Sequence, residues 1–183
     1  EALSTRQEQA DRFGVAQALT ELARMYNALG LRDLALRDGR KALDTYRALG
    51  VRHGEARALA TLGMLMCDAA RFAEAFSYCG EALRLHRGVG DRHGEAEALA
   101  QIGIVCGRLG RYPEAREQLL RALEIRREIG DLHGEAHDLE HLSLVLRRLD
   151  RHQEAFVFGL EALDLWHRLG ARGGLATTLG SLA

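Results

Sequence analysis

Apolar positions recur along the chain at i, i+3, i+4 and i+7, the spacing of one buried helix face. Leu99, Ile102, Cys106 and Leu109 mark one such face, and Leu119, Leu123 and Ile125, with the small Ala115 and Ala122, mark the next. Glycine punctuates the pattern. Gly30 and Gly110 stop first helices and Gly50, Gly90, Gly130 and Gly170 stop second ones, where a left-handed residue closes a helix without a Cβ penalty. Asp91 and Asp131 follow directly, placed to cap the free amides of the next helix. Pro113 falls in a first helical turn, where its missing N–H has no partner to lose. The predicted element is a helical hairpin with tight turns.

The hairpin repeats. From Arg52 the chain reads RHGEARALATLGMLMCDAARFAEAFSYCGEALRLHRGVGD, from Arg92 RHGEAEALAQIGIVCGRLGRYPEAREQLLRALEIRREIGD, and from Leu132 LHGEAHDLEHLSLVLRRLDRHQEAFVFGLEALDLWHRLGA. These 40-residue stretches align without a gap, and the segment from Arg12 fits the same frame, so that Gly14, Gly54, Gly94, Gly134 and Gly174 share a column. The predicted units are 12–51, 52–91, 92–131 and 132–171, with 1–11 as the second helix of a preceding unit and 172–183 as the first helix of a truncated one. One hairpin cannot bury its apolar face alone, and arrays of hairpins end in polar caps. Neither end here has that character, which predicts a segment of a longer array whose uncapped ends are open to self-association.

Within each unit the small residues Ala23, Gly63, Gly103 and Ser143 lie 12 residues before Ala35, Ala75, Ala115 and Ala155, and those lie seven before Ala42, Ala82, Ala122 and Ala162. Small residues at these places let the two helices of a hairpin cross closely. Leu22, Leu62, Ile102 and Leu142 stand as apolar partners just before them. This spacing resembles the tetratricopeptide repeat over the whole chain. The longer unit, without the usual proline after the second helix, is similar to the arrays of Pins-type scaffolds, kinesin light chains and bacterial STAND-type and AfsR-like regulators. The resemblance implies an all-α fold, a right-handed superhelical α-solenoid of antiparallel hairpins with about ten helices.

It also implies that first helices line a concave, ligand-binding face. The side chains it places there are Gln17, Thr20, Arg24 and Asn27 in the first unit, and Arg57, Ala60, Met64 and Asp68 in the second. The third unit adds Glu97, Ala100, Ile104 and Arg108, and the fourth adds His137, Glu140, Leu144, Arg147 and Arg148. Met64, Ile104 and Leu144 form a column that with Ala60 and Ala100 makes a shallow apolar trough, and Arg108, Arg147 and Arg148 are set to fix an acidic group. Backbone-gripping and carboxylate-clamp members of the family carry Asn where Arg24, Met64, Ile104 and Leu144 stand here, so the implied ligand is an apolar or amphipathic protein segment. The same column also reads as one that packs against a neighbouring turn of the superhelix.

Composition narrows the function classes. Hydrophobic residues make up 47% of the 183 residues and aromatics 5%, with a single proline, the palette of helices. A net charge of -1 with interspersed signs gives no footprint for nucleic acid. No apolar run approaches the roughly 20 residues that span a bilayer, and no leader precedes the first helix, so a soluble, cytoplasmic, membrane-free protein is expected. Lys41 is the only lysine among 25 basic residues, a bias expected of a GC-rich bacterial genome, which tilts the resemblance toward bacterial signalling and transcription regulators.

Chemistry-bearing residues were weighed against packing roles. Cys67, Cys79 and Cys106 sit in apolar helical stretches with no CxxC pairing and read as packed, reduced thiols. His53, His93 and His133 recur at successive helix starts, but neighbouring hairpins lie on the order of 10 Å apart, too far for one ion. His133, His137 and His141 share one face without an HExxH pattern and read as surface histidines, with adventitious metal binding as the second reading. Trp166 and the column Phe72, Tyr112 and His152 read as packing residues. No catalytic constellation, phosphate loop or cofactor motif emerges, so neither an enzyme nor a cofactor or resident metal is expected. The expected function is a protein- or peptide-binding scaffold, the sensor or regulatory part of a larger regulator; the alternative is a structural spacer or self-association module bracing an adjacent domain.

Overall fold

The computed structural model describes residues 2–182, with side chains described for residues 8–180. Among them the regular structure is all helix: α1 Ala2–Ala28, α2 Arg32–Leu49, α3 Arg52–Asp68, α4 Phe72–Gly88, α5 Arg92–Arg108, α6 Tyr112–Ile129, α7 Leu132–Arg148, α8 His152–Arg168 and α9 Arg172–Leu182. Consecutive helices pack as antiparallel hairpins, α1 on α2, α3 on α4 and α7 on α8. The chain groups into two compact units, residues 1–98 and 99–183, and α5 gives residues 92–98 to the first and 99–108 to the second.

The N terminus departs from the repeat frame. A turn was expected between 11 and 12, yet α1 runs through it unbroken, which leaves nine helices among the described residues where about ten were predicted. Ala10 stands where Gly50, Gly90, Gly130 and Gly170 stand. Alanine favours continued helix, and residues 8–15 are all exposed, so little burial there offsets the cost of a left-handed turn.

Every turn between described helices closes the same way. A left-handed residue follows the helix, and the amide after it reaches five residues back: Asp91 N–H to His86 O at 2.9 Å, Arg111 N–H to Cys106 O at 2.9 Å, Arg71 N–H to Met66 O at 2.8 Å. Glycine fills the left-handed place in most turns, for example Gly90 with φ 71°. Ala70 and Asp150 hold it with φ 57° despite their Cβ atoms.

Inside each hairpin the small residues meet as the spacing predicts. A Cβ at Gly63 would lie 2.4 Å from Cys79 Sγ, and one at Gly103 would lie 2.8 Å from Leu119 Cγ and 3.2 Å from Ala115 O. Ser143 fits because its hydroxyl donates to Ala155 O at 2.8 Å. Burial pushes the Cys79 thiol up to about 12, in keeping with a packed, unreactive group. Leu109, just beyond α5, is exposed rather than part of the core face.

A second close approach joins each hairpin to the next helix. Tyr46, His86, Arg126 and Trp166 share one repeat position, are all buried, and lie on Gly54, Gly94, Gly134 and Gly174. A Cβ at Gly54 would fall 2.3 Å from the Tyr46 ring and one at Gly174 would fall 2.4 Å from the Trp166 ring, so glycine is required by contact, not by dihedral. The residue five after the large one follows its polarity. Where it is His86 or Arg126, Asp91 or Asp131 follows; where it is Tyr46 or Trp166, Val51 or Ala171 follows. Asp91 accepts from His86 Nδ1 at 2.8 Å through Oδ2 and from the Gly94 amide at 2.9 Å through Oδ1. Asp131 accepts from Arg126 Nη1 at 2.5 Å and from the Gly134 amide at 3.0 Å.

Arg126 carries a second carboxylate, Asp138, whose Oδ2 accepts from Arg126 Nε at 2.8 Å. Asp138 stands where Ala58 and Ala98 stand, in a fully buried position. Burial pushes its carboxyl up to about 7 against the opposing pull of Arg126, and Asp131 adds to the rise. An unfolded aspartate titrates near ~3.9, so between about pH 4 and 7 the native state retains a proton that the unfolded chain has released. Stability from this group therefore falls as pH rises through that window.

Two outcomes follow for stability. Ala70→Gly relieves the left-handed turn and should raise the unfolding free energy by about 0.5–1 kcal/mol in a denaturant titration. Asp138→Ala should flatten the fall in stability from pH 5 to pH 8 by more than about 1 kcal/mol relative to the native chain. Parallel pH profiles for the two would remove Asp138 as the source.

Candidate functional site

The first helices present their exposed faces differently in the two units. In the first, polar side chains bond one another. Arg57 Nη2 donates to Glu21 Oε1 at 2.7 Å and Asn27 Nδ2 donates to Asp68 Oδ2 at 2.6 Å. Arg24 lies 3.7 Å from Glu97, reaching from α1 to α5. The Thr20 hydroxyl turns back to Ala16 O at 2.9 Å, Ala60 is buried, Met64 packs partly against the core, and Gln17 is exposed. On this face polar side chains pair across neighbouring helices.

The second unit holds a groove of about 740 Å³ between α5 and α7. Gly103 and Gly107, a turn apart on α5, line it together with Tyr112 and Leu119 of α6. Ile104 on one side and Leu144 and Val145 on the other supply apolar surface. Leu144 is 44% exposed, a large apolar side chain in reach of a ligand. Arg108, Arg147 and Arg148 give the groove three guanidiniums, and no carboxylate lines it among the described residues. His141 and His152 also face it. Burial holds the His141 imidazole below its ordinary value, with His137 and Arg108 adding to the drop and Glu140 opposing it. The groove thus offers a neutral imidazole beside fixed cations.

Of the side chains that the sequence put on the binding face, the structure gathers Ile104, Arg108, Leu144, Arg147 and Arg148 into this groove. Ala100 is buried beneath the surface. His137 packs edge-on against Trp166 and His133, with ring centroids 4.8 and 5.0 Å away. Glu140 accepts from the Thr178 hydroxyl of α9 and lies 3.5 Å from His137 Nδ1. Both side chains stand outside the groove lining. Tyr112, His141 and His152, expected to be packing or incidental residues, lie in the lining. The signal for two of them was present, since Tyr112 and His152 share a repeat position at the hairpin turn.

Two family models described as tetratricopeptide repeat match the chain, one over residues 15–53 and one over residues 54–128, together more than half of its length. The chain belongs to the tetratricopeptide repeat family. No curated protein matches it in sequence. Among solved structures, this tetratricopeptide array is similar to aspartyl phosphate phosphatase F from Bacillus subtilis, with a TM-score of 0.83 and 14% identity over 91% of this chain and 44% of that one. It is similar to a Rap protein complexed with competence and sporulation factor, with a TM-score of 0.85 and 16% identity over 91% of this chain and 46% of the other. A STAND protein with a tetratricopeptide repeat sensor from Pyrococcus horikoshii aligns with a TM-score of 0.78 and 16% identity, over 93% of this chain and 27% of that one. At these identities the likeness shows the fold, and the array spans less than half the length of each of these three. No described helix is long and apolar enough to cross a membrane.

Gly103 belongs both to the hairpin crossing and to the groove. Gly103→Leu should lower the unfolding free energy by about 1–3 kcal/mol through overpacking against Leu119 and Ala115, measured by denaturant titration.

Proposed function

We propose that this tetratricopeptide array is a non-enzymatic protein- or peptide-binding module that reads its partner with the α5–α7 groove. The observation that carries the reading is the joining of the exposed Leu144 and the half-buried Ile104 to Arg108, Arg147 and Arg148 in one groove with no carboxylate lining it among the described residues. Such a surface suits a segment with apolar side chains on one face and an acidic side chain or terminal carboxylate at one end. Buried apolar contact provides the affinity and a guanidinium–carboxylate pair fixes direction and register. In the first unit Arg24 pairs with an acidic side chain, as does Arg57, and Asn27 bonds Asp68.

The setting that fits is the sensor or regulatory part of a larger bacterial signalling or transcription regulator working in the cytoplasm. Its support is the arginine-biased composition and the fold shared with a Rap protein seen complexed with a factor and with a STAND protein's repeat sensor.

A peptide array of amphipathic sequences, with and without a terminal or side-chain carboxylate, tests the reading. Acidic amphipathic peptides should be retained and their neutral counterparts bound roughly tenfold more weakly, a loss of ~1.4 kcal/mol. Leu144→Glu should abolish retention of all of them, and Arg148→Glu should erase the preference for acid. Binding unaltered by both variants would remove the groove as the reading surface.

A further inference from the structure

The joint at the end of α4 brings together three groups from three helices or their turns. His53 opens α3, His86 lies in the last turn of α4, and Asp91 precedes α5. One ligand atom from each lies within 4.8 Å of the others. Both imidazoles converge on the same oxygen: Asp91 Oδ2 is 2.8 Å from His86 Nδ1 and 3.2 Å from His53 Nδ1. We propose that His53, His86 and Asp91 form a binding site for a divalent transition-metal ion, with Zn²⁺ as the ion whose donor preference they match.

The chemistry is that of two imidazoles and one carboxylate, with a fourth place left for water. Zinc takes this donor set at about 2.0–2.2 Å, which puts ligand atoms roughly 3.3–3.5 Å apart in a tetrahedron. The His53 separation of 3.2 Å is close to this, and the His86 separation of 2.8 Å opens by about half an ångström on binding. Calcium and magnesium prefer oxygen ligands and gain little here. His53 is 57% exposed, so the ion has an entry path and the fourth ligand faces solvent, while His86 is buried on Gly94. Asp91 is already oriented, since its other oxygen accepts from the Gly94 amide.

The repeat supplies an independent reason. At the equivalent joint of the second unit, Arg126 replaces His86, and its guanidinium sits on Asp131 as a built-in cation. At the His86 joint the carboxylate faces two imidazoles instead, and an ion bound there takes the place that the guanidinium fills one repeat later.

Coordination requires a lone pair on His86 Nδ1. A carboxylate accepts and does not donate, so that nitrogen now carries the proton. On binding, the proton transfers to Nε2, a buried nitrogen with no hydrogen-bond partner among the described residues, and the ring stays neutral. No net proton is released.

The test uses the whole chain, stripped with a chelator and titrated with Zn²⁺, Co²⁺ or Mg²⁺ by calorimetry, thermal unfolding and visible absorption. Zinc should bind at one equivalent and raise the melting temperature, Co²⁺ should give tetrahedral absorption bands, and Mg²⁺ should do neither. His53→Ala alters an exposed residue, and His86→Tyr combined with Asp91→Val copies the Tyr46 and Val51 pair at the Gly54 joint, so both should fold. Each should weaken zinc binding by at least about tenfold, while His137→Ala, on the other histidine cluster, should leave it unchanged. An absent zinc effect on the native chain, unchanged binding in His53→Ala, or loss of binding in His137→Ala would each overturn the assignment.

Discussion

A large side chain laid flat on a glycine is the contact on which the array depends. Tyr46, His86, Arg126 and Trp166 each cover a glycine of the following helix, and no Cβ fits between. The hairpin crossings at Gly63, Gly103 and Ser143 fix two helices against each other; the joints fix one hairpin to the next. An isolated hairpin has one apolar face too many, so within each compact unit the joint covers a face that a single hairpin would leave open. The chemistry of that covering residue is free to vary provided its neighbour five residues on varies with it. That freedom lets a ring, an imidazole and a guanidinium serve the same structural purpose.

Much of this was legible in the sequence. The 40-residue frame placed the helices, turns and close crossings because each rests on local chemistry: left-handed glycines, capping aspartates and small residues at fixed spacing. The break expected before Arg12 was not found, because it was inferred from the frame alone. Ala10 lacks the local chemistry that makes the other turns. The Gly54 column was visible as a column, but its reason was not, since the covering residue is different in every repeat. Alignment rewards sameness, and the joint is a conserved geometry filled by unlike residues.

The binding face shows the same division. Repeat position put Ile104, Arg108, Leu144, Arg147 and Arg148 on one face, and they line one groove. It gave no means of knowing that Arg24, Asn27 and Arg57 would be engaged by acidic or polar neighbours, because those bonds join residues from different repeat positions. His53 was compared with His93 and His133 along its own column, whereas its contacts, His86 and Asp91, lie in two other columns.

The joints also bear on how such a chain is cut and recombined. The alignment invites a boundary at the left-handed glycines, where one repeat ends and the next begins. That cut passes between Arg126 and Asp131 or between His86 and Asp91, and separates every covering side chain from the glycine it needs. The heritable module therefore straddles the turn. A chimera spliced inside a first helix, beyond the glycine, moves each covering residue, its acid and its seat together, whereas one spliced at the turn exchanges residues that were chosen for different partners.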